Sequence, residues 1–362
     1  MTVEMQDVRV DLSSRSYNVR IGTACLDQLG VGVAMHGEGR HAVVVTDENV
    51  ESPHAEAVVA GLTQARLAAD LLVVPAGEES KSLDVAADLW SKLVDLGTDR
   101  RTMIIAVGGG VIGDLAGFVA ATFARGLDFI QVPTTLLAQV DSSVGGKVGI
   151  NLPQAKNMVG SFWQPRLVWA DTATLQTLPE REYRAGLAEV VKYGVILDAD
   201  FFTYLEEHVD ELNRRDNAVL RHIVAKSCRL KADVVEKDEH ETTGLRASLN
   251  YGHTFAHAFE QVAGYGTLLH GEAVSIGMLC ASRLAERAGR ISADVTERQQ
   301  KLLEALQLPV EVPELDHDAV LEVMKRDKKV VEGRLRFVLP SRMGHVELVE
   351  DVPTQDVEAV MS

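Results

Sequence analysis

The chain has 362 residues, 46% hydrophobic and 25% charged, which is the composition of a globular protein of two-domain length and excludes a disordered or fibrous one. A formal net charge of −17 argues against nucleic-acid or anionic-membrane partners, so an anionic ligand would need positive charge gathered locally. Cys25, Cys228 and Cys280 are isolated, odd in number and without a C-x-x-C pair, which argues against a disulfide framework and fits a reducing compartment.

The first residues, MTVEMQDVRVDLSSRSY, alternate like a strand and lack the basic-then-apolar order of a signal peptide. No stretch is long and apolar enough to span a bilayer, and a cytoplasmic protein is expected. HAVVVTDENV (41–50) begins as a β-branched run and reaches Asp47; a helical pattern follows in PHAEAVVAGLTQARL. LLVVPAGEESKS (71–82) is a second strand whose closing turn carries Glu78 and Lys81. DVAADLWSKLVDLG (84–97) is a helix closed by Gly97, and MIIAVGGG (103–110) is a third strand. Short apolar strands alternating with helices predict an α/β domain with a mainly parallel sheet over residues 1–177.

From about Leu178 the pattern becomes helical, through PEREYRAGLAEVVKYGVIL, FFTYLEEHVDELNRR, AVLRHIVAKSCRLKADVVEKD and EAVSIGMLCASRLAERAG. A mainly α-helical second domain over 178–362 is expected, with a late hairpin of GRLRFVLP and HVELVE. A cleft between the two domains is the expected place for the active site.

AVGGGVIGDLAGFVA (106–120) contains G-x-G-x-x-G at Gly108, Gly110 and Gly113, after a strand and opening a helix, where backbone N–H groups can cradle a pyrophosphate. A plain strand-to-helix turn gives the same pattern. In the ordinary dinucleotide fold the ribose-binding acid ends the next strand, whereas Asp128 begins FIQVP; Asp47 is the better candidate. Residues 132–165 read as a long polar connection carrying Thr134, Thr135, Asp141, Lys147, Lys156 and Asn157. A loop of that length with lysines beside glycines suits a phosphate or carboxylate.

In GLAEVVKYG, Glu189 and Lys192 are three apart on one helical face. In LNYGHTFAHAFE, His253 and His257 are four apart, but Thr-Phe-Ala between them lacks the glutamate of a metalloprotease. His270 follows in GTLLHGEAVSIGM, beside Glu272. Two histidines and Glu189 would make a reasonable catalytic zinc site, and spacing alone leaves open which two of the three histidines bind.

Taken together, GGGVIGDLAGFVA, Arg125-Gly126, VPTTLLAQVDSSVGGKVGIN, KNMVGSFWQP, GLAEVVKYG, RASLNYGHTFAHAFE and LHGEAVSIG resemble the 3-dehydroquinate synthase family, in the family's order from about Asp47 to the C-terminal strands. The resemblance implies Glu189, His253 and His270 as ligands of Zn²⁺ or Co²⁺, with His257 as an active-site histidine that does not bind the metal. It implies NAD⁺ held by Asp47, Glu78, Lys81, the turn with Gly109, Gly110, Gly113 and Asp114, Thr134, Thr135, Lys147, Lys156, and Thr174, Leu175 and Thr177. Lys147, Asn157, Lys192 and Asn250 are implied as contacts to substrate phosphate and hydroxyls, Arg246 and Lys231 as contacts to its carboxylate, with Lys328 beside them. Asp141 joins the catalytic candidates. Arg125 is implied to reach a neighbouring subunit's site, hence a homodimer.

The implied reaction turns 3-deoxy-D-arabino-heptulosonate 7-phosphate into 3-dehydroquinate and phosphate. It runs by transient oxidation, phosphate elimination, re-reduction and aldol closure, so that NAD⁺ is recycled. Many members read N-H-P-x-G-K-N where this chain reads NLPQAKN, so Leu152 and Ala155 alter the local loop while Lys156 and Asn157 remain. Rival readings are a sedoheptulose 7-phosphate cyclase, which Asn157 and Asn250 disfavour, and a metal-dependent polyol dehydrogenase, which would not need the phosphate set.

Overall fold

The computed structural model describes residues 4–34, 41–264, 266–326 and 335–361. Its first strands are β1 (Gln6–Val10), β2 (Tyr17–Gly22), β3 (His41–Asp47), β4 (Ala68–Val74), β5 (Met103–Gly108) and β6 (Asp128–Pro133). A separate hairpin of β7 (Lys147–Leu152) and β8 (Ala155–Phe162) precedes β9 (Leu167–Asp171). Seven strands form one sheet in the order β1-β2-β9-β6-β5-β3-β4. Every pair is parallel except β1 with β2. Strand β3 has β4 on one side and β5 on the other, so the chain reverses its travel across the sheet there. Such a switch point opens a crevice beyond the C-terminal strand ends.

Helices α1 (Leu29–Ala34), α2 (Glu56–Gln64), α3 (Leu83–Asp95) and α4 (Gly110–Thr122) cover the sheet. Val43, Val45, Ile104 and Ala106 pack with Leu89 and Leu93 of α3 and Leu115 and Val119 of α4. The alternate residues Ala42, Val44, Ile105 and Val107 pack on the opposite face with Leu29 of α1 and Val58 and Leu62 of α2. Burial on both faces explains why these strands read as unbroken apolar runs.

Residues 132–165 are more ordered than the expected long loop. Ala138–Ser142 forms a helical turn, and β7 pairs antiparallel with β8 through Val148↔Ser161 and Gly149↔Gly160. Strand β8 is largely exposed and carries polar side chains, so it shows no apolar alternation in sequence.

The helices that follow are α5 (Glu180–Leu197), α6 (Ala199–Glu207), α7 (Val209–Asn213), α8 (Asn217–Lys237), α9 (His253–Ala263), α10 (His270–Arg287), α11 (Ala293–Ala305) and α12 (His317–Arg326). An antiparallel hairpin of β10 (Arg336–Arg342) and β11 (His345–Glu350) and a last helix, α13 (Thr354–Ala359), end the described chain. No described helix is long and apolar enough to cross a membrane.

The chain divides into two units, Met1–Leu178 with Leu220–His240, and Pro179–Val219 with Glu241–Ser362. Most of α8 therefore groups with the sheet, although its periodicity reads as one more helix of a C-terminal domain. Its contacts give the reason. The Cys228 thiol donates to the Gln139 carbonyl (3.2 Å), Lys231 donates to Asp141 (2.8 Å), and Glu236 accepts the Asp11 N–H (2.9 Å).

Candidate active site

In the first unit the nucleotide candidates other than Lys147 and Lys156 lie at or just beyond the C-terminal ends of parallel strands. Asp47 ends β3, Glu78 and Lys81 follow β4, Gly109 to Asp114 follow β5, Thr134 and Thr135 follow β6, and Thr174, Leu175 and Thr177 follow β9. This is the edge at which open α/β sheets bind ligands. The glycine turn is tight: a Cβ at Gly113 would stand 2.9 Å from Gln131 Oε1, and one at Gly109 would stand 3.0 Å from the Thr135 methyl. No side chain caps the start of α4 at Gly109, and the first N–H groups of a helix have no partner within it, an arrangement that suits an anion.

Lys81 is buried and donates to both the Asp114 carboxylate and the Asn157 side-chain carbonyl. Burial pushes the Asp114 carboxyl up from its ordinary value, and Lys81 opposes that. The backbone N–H of Asn157 donates to Asn151 Oδ1 (2.9 Å), and the Asn151 amide donates to Glu78 Oε1 (2.7 Å). Glu78, Lys81, Asp114 and Asn157 are therefore one network, which the sequence presents as four separate turn and loop residues. Burial also raises the Asp47 carboxyl, against the N–H groups of Asn49 and Val50. Lys147 and Lys156 are exposed on the β7–β8 hairpin. Lys231 holds both the backbone carbonyl and the carboxylate of Asp141, each at 2.8 Å.

Ala124, Arg125 and Gly126 are consecutive residues in left-handed backbone, at φ 49°, 70° and 117°. Two of the three carry a Cβ, a costly arrangement of the kind that clusters at functional sites, and Arg125 is exposed at its centre. Cys25, Cys228 and Cys280 are buried, and burial pushes the thiols of Cys228 and Cys280 up to about 12, which leaves them poor nucleophiles.

In the second unit three helices bring Glu189, His253 and His270 together. Glu189 lies within α5, His253 begins α9 and His270 begins α10. Two glycine contacts set the approach. A Cβ at Gly271 would stand 1.8 Å from the Ala185 carbonyl oxygen, and one at Gly277 would stand 2.3 Å from the Gly252 carbonyl oxygen. Helix α10 therefore lies directly against the backbone of α5 and of the turn before α9.

One donor atom from each of Glu189, His253 and His270 lies within 4.8 Å of the others. Glu189 Oε1 is 3.6 Å from Nε2 of each histidine. His253 Nδ1 donates to the Tyr251 carbonyl (3.0 Å), which leaves the Nε2 lone pair facing the cluster. Two imidazoles and a carboxylate, with Glu189 only 1% exposed, are a fitting donor set for Zn²⁺ or Co²⁺. His257 stands beside this group, its ring centroid 5.6 Å from that of His253 and 6.2 Å from that of His270. Lys192, one turn after Glu189, is buried and paired with its other oxygen. Burial, followed by the Lys192 charge, holds His253 well below its ordinary pKa. Burial pulls His270 down as well, but the facing carboxylates of Glu189 and Glu260, each 3.6 Å away, outweigh it and push the ring up to about 10.

Arg246 is buried and pairs with Glu241 at 3.5 Å, while Asn250 ends the short helical turn Leu245–Asn250 before His253. Lys328 lies outside the described residues. Sequence reasoning did not find Glu260, three residues after His257, or the Arg181–Glu272 pair beside His270. An i+3 acid on the helix after His257 was the available signal for the first.

Residues 71–185 match the family model for the 3-dehydroquinate synthase N-terminal region, and residues 186–330 match that for its C-terminal region. A 3-dehydroquinate synthase of Rhodopirellula baltica is 50% identical over 367 residues, covering 100% of this chain and 98% of that protein. The chain belongs to the 3-dehydroquinate synthase family. The family motifs fall on the two clusters just described: GLAEVVKYG on α5, YGHTFAHAFE on α9, LHGEAVSIG on α10 and GGGVIGD at the start of α4. Two solved structures are also similar. A 2-deoxy-scyllo-inosose synthase complexed with carbaglucose-6-phosphate, NAD⁺ and Co²⁺ has a TM-score of 0.90 at 28% identity, covering 98% of this chain and 99% of that one. A 2-epi-5-epi-valiolone synthase of Streptomyces hygroscopicus with NAD⁺ and Zn²⁺ has a TM-score of 0.88 at 27% identity, covering 97% and 96%.

Proposed function

We propose that the protein is a phosphate lyase that converts 3-deoxy-D-arabino-heptulosonate 7-phosphate into 3-dehydroquinate and phosphate, a step of the shikimate pathway, with NAD⁺ and Zn²⁺ or Co²⁺ as cofactors. The observation that carries this reading is the full-length likeness, at half identity, to a 3-dehydroquinate synthase.

When bound, NAD⁺ supplies a hydride acceptor and the metal a Lewis acid for substrate oxygens. The protein does the rest. Asp47 accepts ribose hydroxyls, and the N–H groups that open α4 hold the pyrophosphate. Lys147, Lys192, Asn157 and Asn250 hold substrate phosphate and hydroxyls; the Lys81 bond orients Asn157. Arg246 and Lys231 hold the substrate carboxylate, with Asp141 fixing the Lys231 ammonium. His257, beside the donor set but outside it, is the proton-transfer partner during elimination.

The exposed Arg125 on its left-handed turn supports a homodimer in which this arginine serves the neighbour's site. Three buried free thiols support a reducing, cytoplasmic setting.

The test is phosphate release from 3-deoxy-D-arabino-heptulosonate 7-phosphate with catalytic NAD⁺ and Zn²⁺ while NADH absorbance is followed. Many turnovers of phosphate without NADH build-up are expected. A metal-loaded, folded protein that releases no phosphate would overturn the reading and make sedoheptulose 7-phosphate the next substrate to try.

A further inference from the structure

An imidazole that offers Nε2 to a metal carries its proton on Nδ1, and that proton needs an acceptor. His253 has one in the Tyr251 carbonyl. The Nδ1 of His270 faces Glu260 Oε2 at 3.6 Å, and the Glu260 side chain is only 14% exposed. Glu260 lies on α9, two turns after His253, so one helix carries a candidate ligand and an acidic group aimed at another.

The backbone at His270 is braced separately. Glu272 accepts the Leu269 N–H at 2.8 Å. Arg181 grips Glu272 through two bonds of 2.6 and 2.7 Å and donates to the Thr267 carbonyl at 2.8 Å. These contacts fix where α10 begins, but none of them touches the imidazole. Among the described residues, the carboxylates that face the imidazole are Glu189 on one side and Glu260 on the other.

We infer that Glu260 is the positioning residue for His270: in the metal-loaded site it accepts the Nδ1–H, holds the ring in the tautomer that directs Nε2 at the metal, and strengthens that nitrogen as a donor. The inference rests on Glu189, His253 and His270 being the metal set. The present separation is an ion-pair contact, longer than a hydrogen bond of at most about 3.2 Å, so the contact tightens on metal binding. An ordinary solvated helix acid would point away from the cluster, and this one does not.

The test uses the full chain loaded with Co²⁺, comparing the parent with Glu260→Ala and Glu260→Gln. Three quantities are read: Co²⁺ affinity by chelator competition, the visible absorption of the bound Co²⁺, and the melting temperature of the metal-free protein. Glu260→Ala is expected to bind Co²⁺ about 10- to 100-fold more weakly and to shift the absorption band. Glu260→Gln still offers a carbonyl to Nδ1–H, so it keeps the parental band and loses less affinity than the alanine variant. An alanine variant with parental affinity and spectrum overturns the inference. Equal losses in both variants, with a lowered metal-free melting temperature, also overturn it, since they mark a structural role. If Glu260→Ala does not fold, the glutamine variant decides: a shifted band at parental melting temperature overturns the inference, and a retained band supports it. A parent that takes up no Co²⁺ overturns the metal reading itself and this inference with it.

Discussion

Gly271 and Ala185 are in backbone contact, close enough that a methyl group at 271 would meet the Ala185 carbonyl oxygen at 1.8 Å. Residue 271 follows His270, and Ala185 lies one turn before Glu189 on α5. The contact therefore sets the distance between two proposed metal ligands. Gly271→Ala must push α10 off α5. The expected cost is about 1–3 kcal/mol of stability together with a loss of metal affinity, read by urea denaturation and chelator competition. Parental values in both would show that the helices adjust without moving the donors.

The three histidines should separate cleanly by metal content. His253→Ala and His270→Ala are expected to lose tight metal binding and activity together, whereas His257→Ala slows turnover and keeps its metal. Metal analysis of the purified variants checks this. Zinc loss in His257→Ala equal to that in His253→Ala would reject the ligand assignment.

Metal uptake should release protons. In the metal-free protein His270 titrates at about 10, and the ordinary histidine value is 6.5. The protonated ring therefore contributes stability that is fully present below about 6.5 and is lost as pH rises through about 10. His253, held below its ordinary value, is already neutral. Zn²⁺ binding near pH 8 is thus expected to release about one proton, from His270, and apparent affinity should rise with pH up to about 10. Calorimetric titration in two buffers of different ionisation heat measures the number. A value of zero would contradict the assignment.

Removing Lys81 should expose the cost of Asp114. Lys81→Met leaves a largely buried carboxylate without its cation, at a cost of roughly 3 kcal/mol, and it releases Asn157. Weaker NAD⁺ binding is expected as well. Adding Asp114→Asn should recover much of the stability. Denaturation curves of the two single variants and the double variant test the coupling, and purely additive effects would argue against it.

Subunit mixing tests Arg125. If it serves a neighbour's site, Arg125→Ala and His253→Ala homodimers are each inactive, but a mixed dimer has one complete site. Refolding an equal mixture should restore about a quarter of parental activity. Activity no greater than that of the separate variants would place Arg125 in its own subunit's chemistry or in none.

The sheet was legible because β3 and β5 are buried on both faces, so their composition alone marks them. The glycine turn was legible because its position after a strand adds to its spacing. Other features were hidden for definable reasons. Strand β8 carries polar residues on an exposed surface, so AKNMVGSF shows no period. Helix α8 is amphipathic, but periodicity does not say which partner it packs against, and Cys228, Lys231 and Glu236 turn most of it toward the sheet unit. Glu260 reads as an ordinary helix acid, because its meaning depends on His270, ten residues further along and on another helix.

The path of the chain also bears on how the protein is made. The sheet unit ends its first pass at Leu178 and is completed only by Leu220–His240. A ribosome delivers residues 179–219 of the other unit before that completing segment emerges. The order of synthesis and the order of assembly therefore differ: the surface of the amino-terminal part that residues 220–240 cover stays bare until that segment has emerged. A fragment cut at 178 would reproduce that unfinished state, and one carrying 220–240 on a short linker would relieve it.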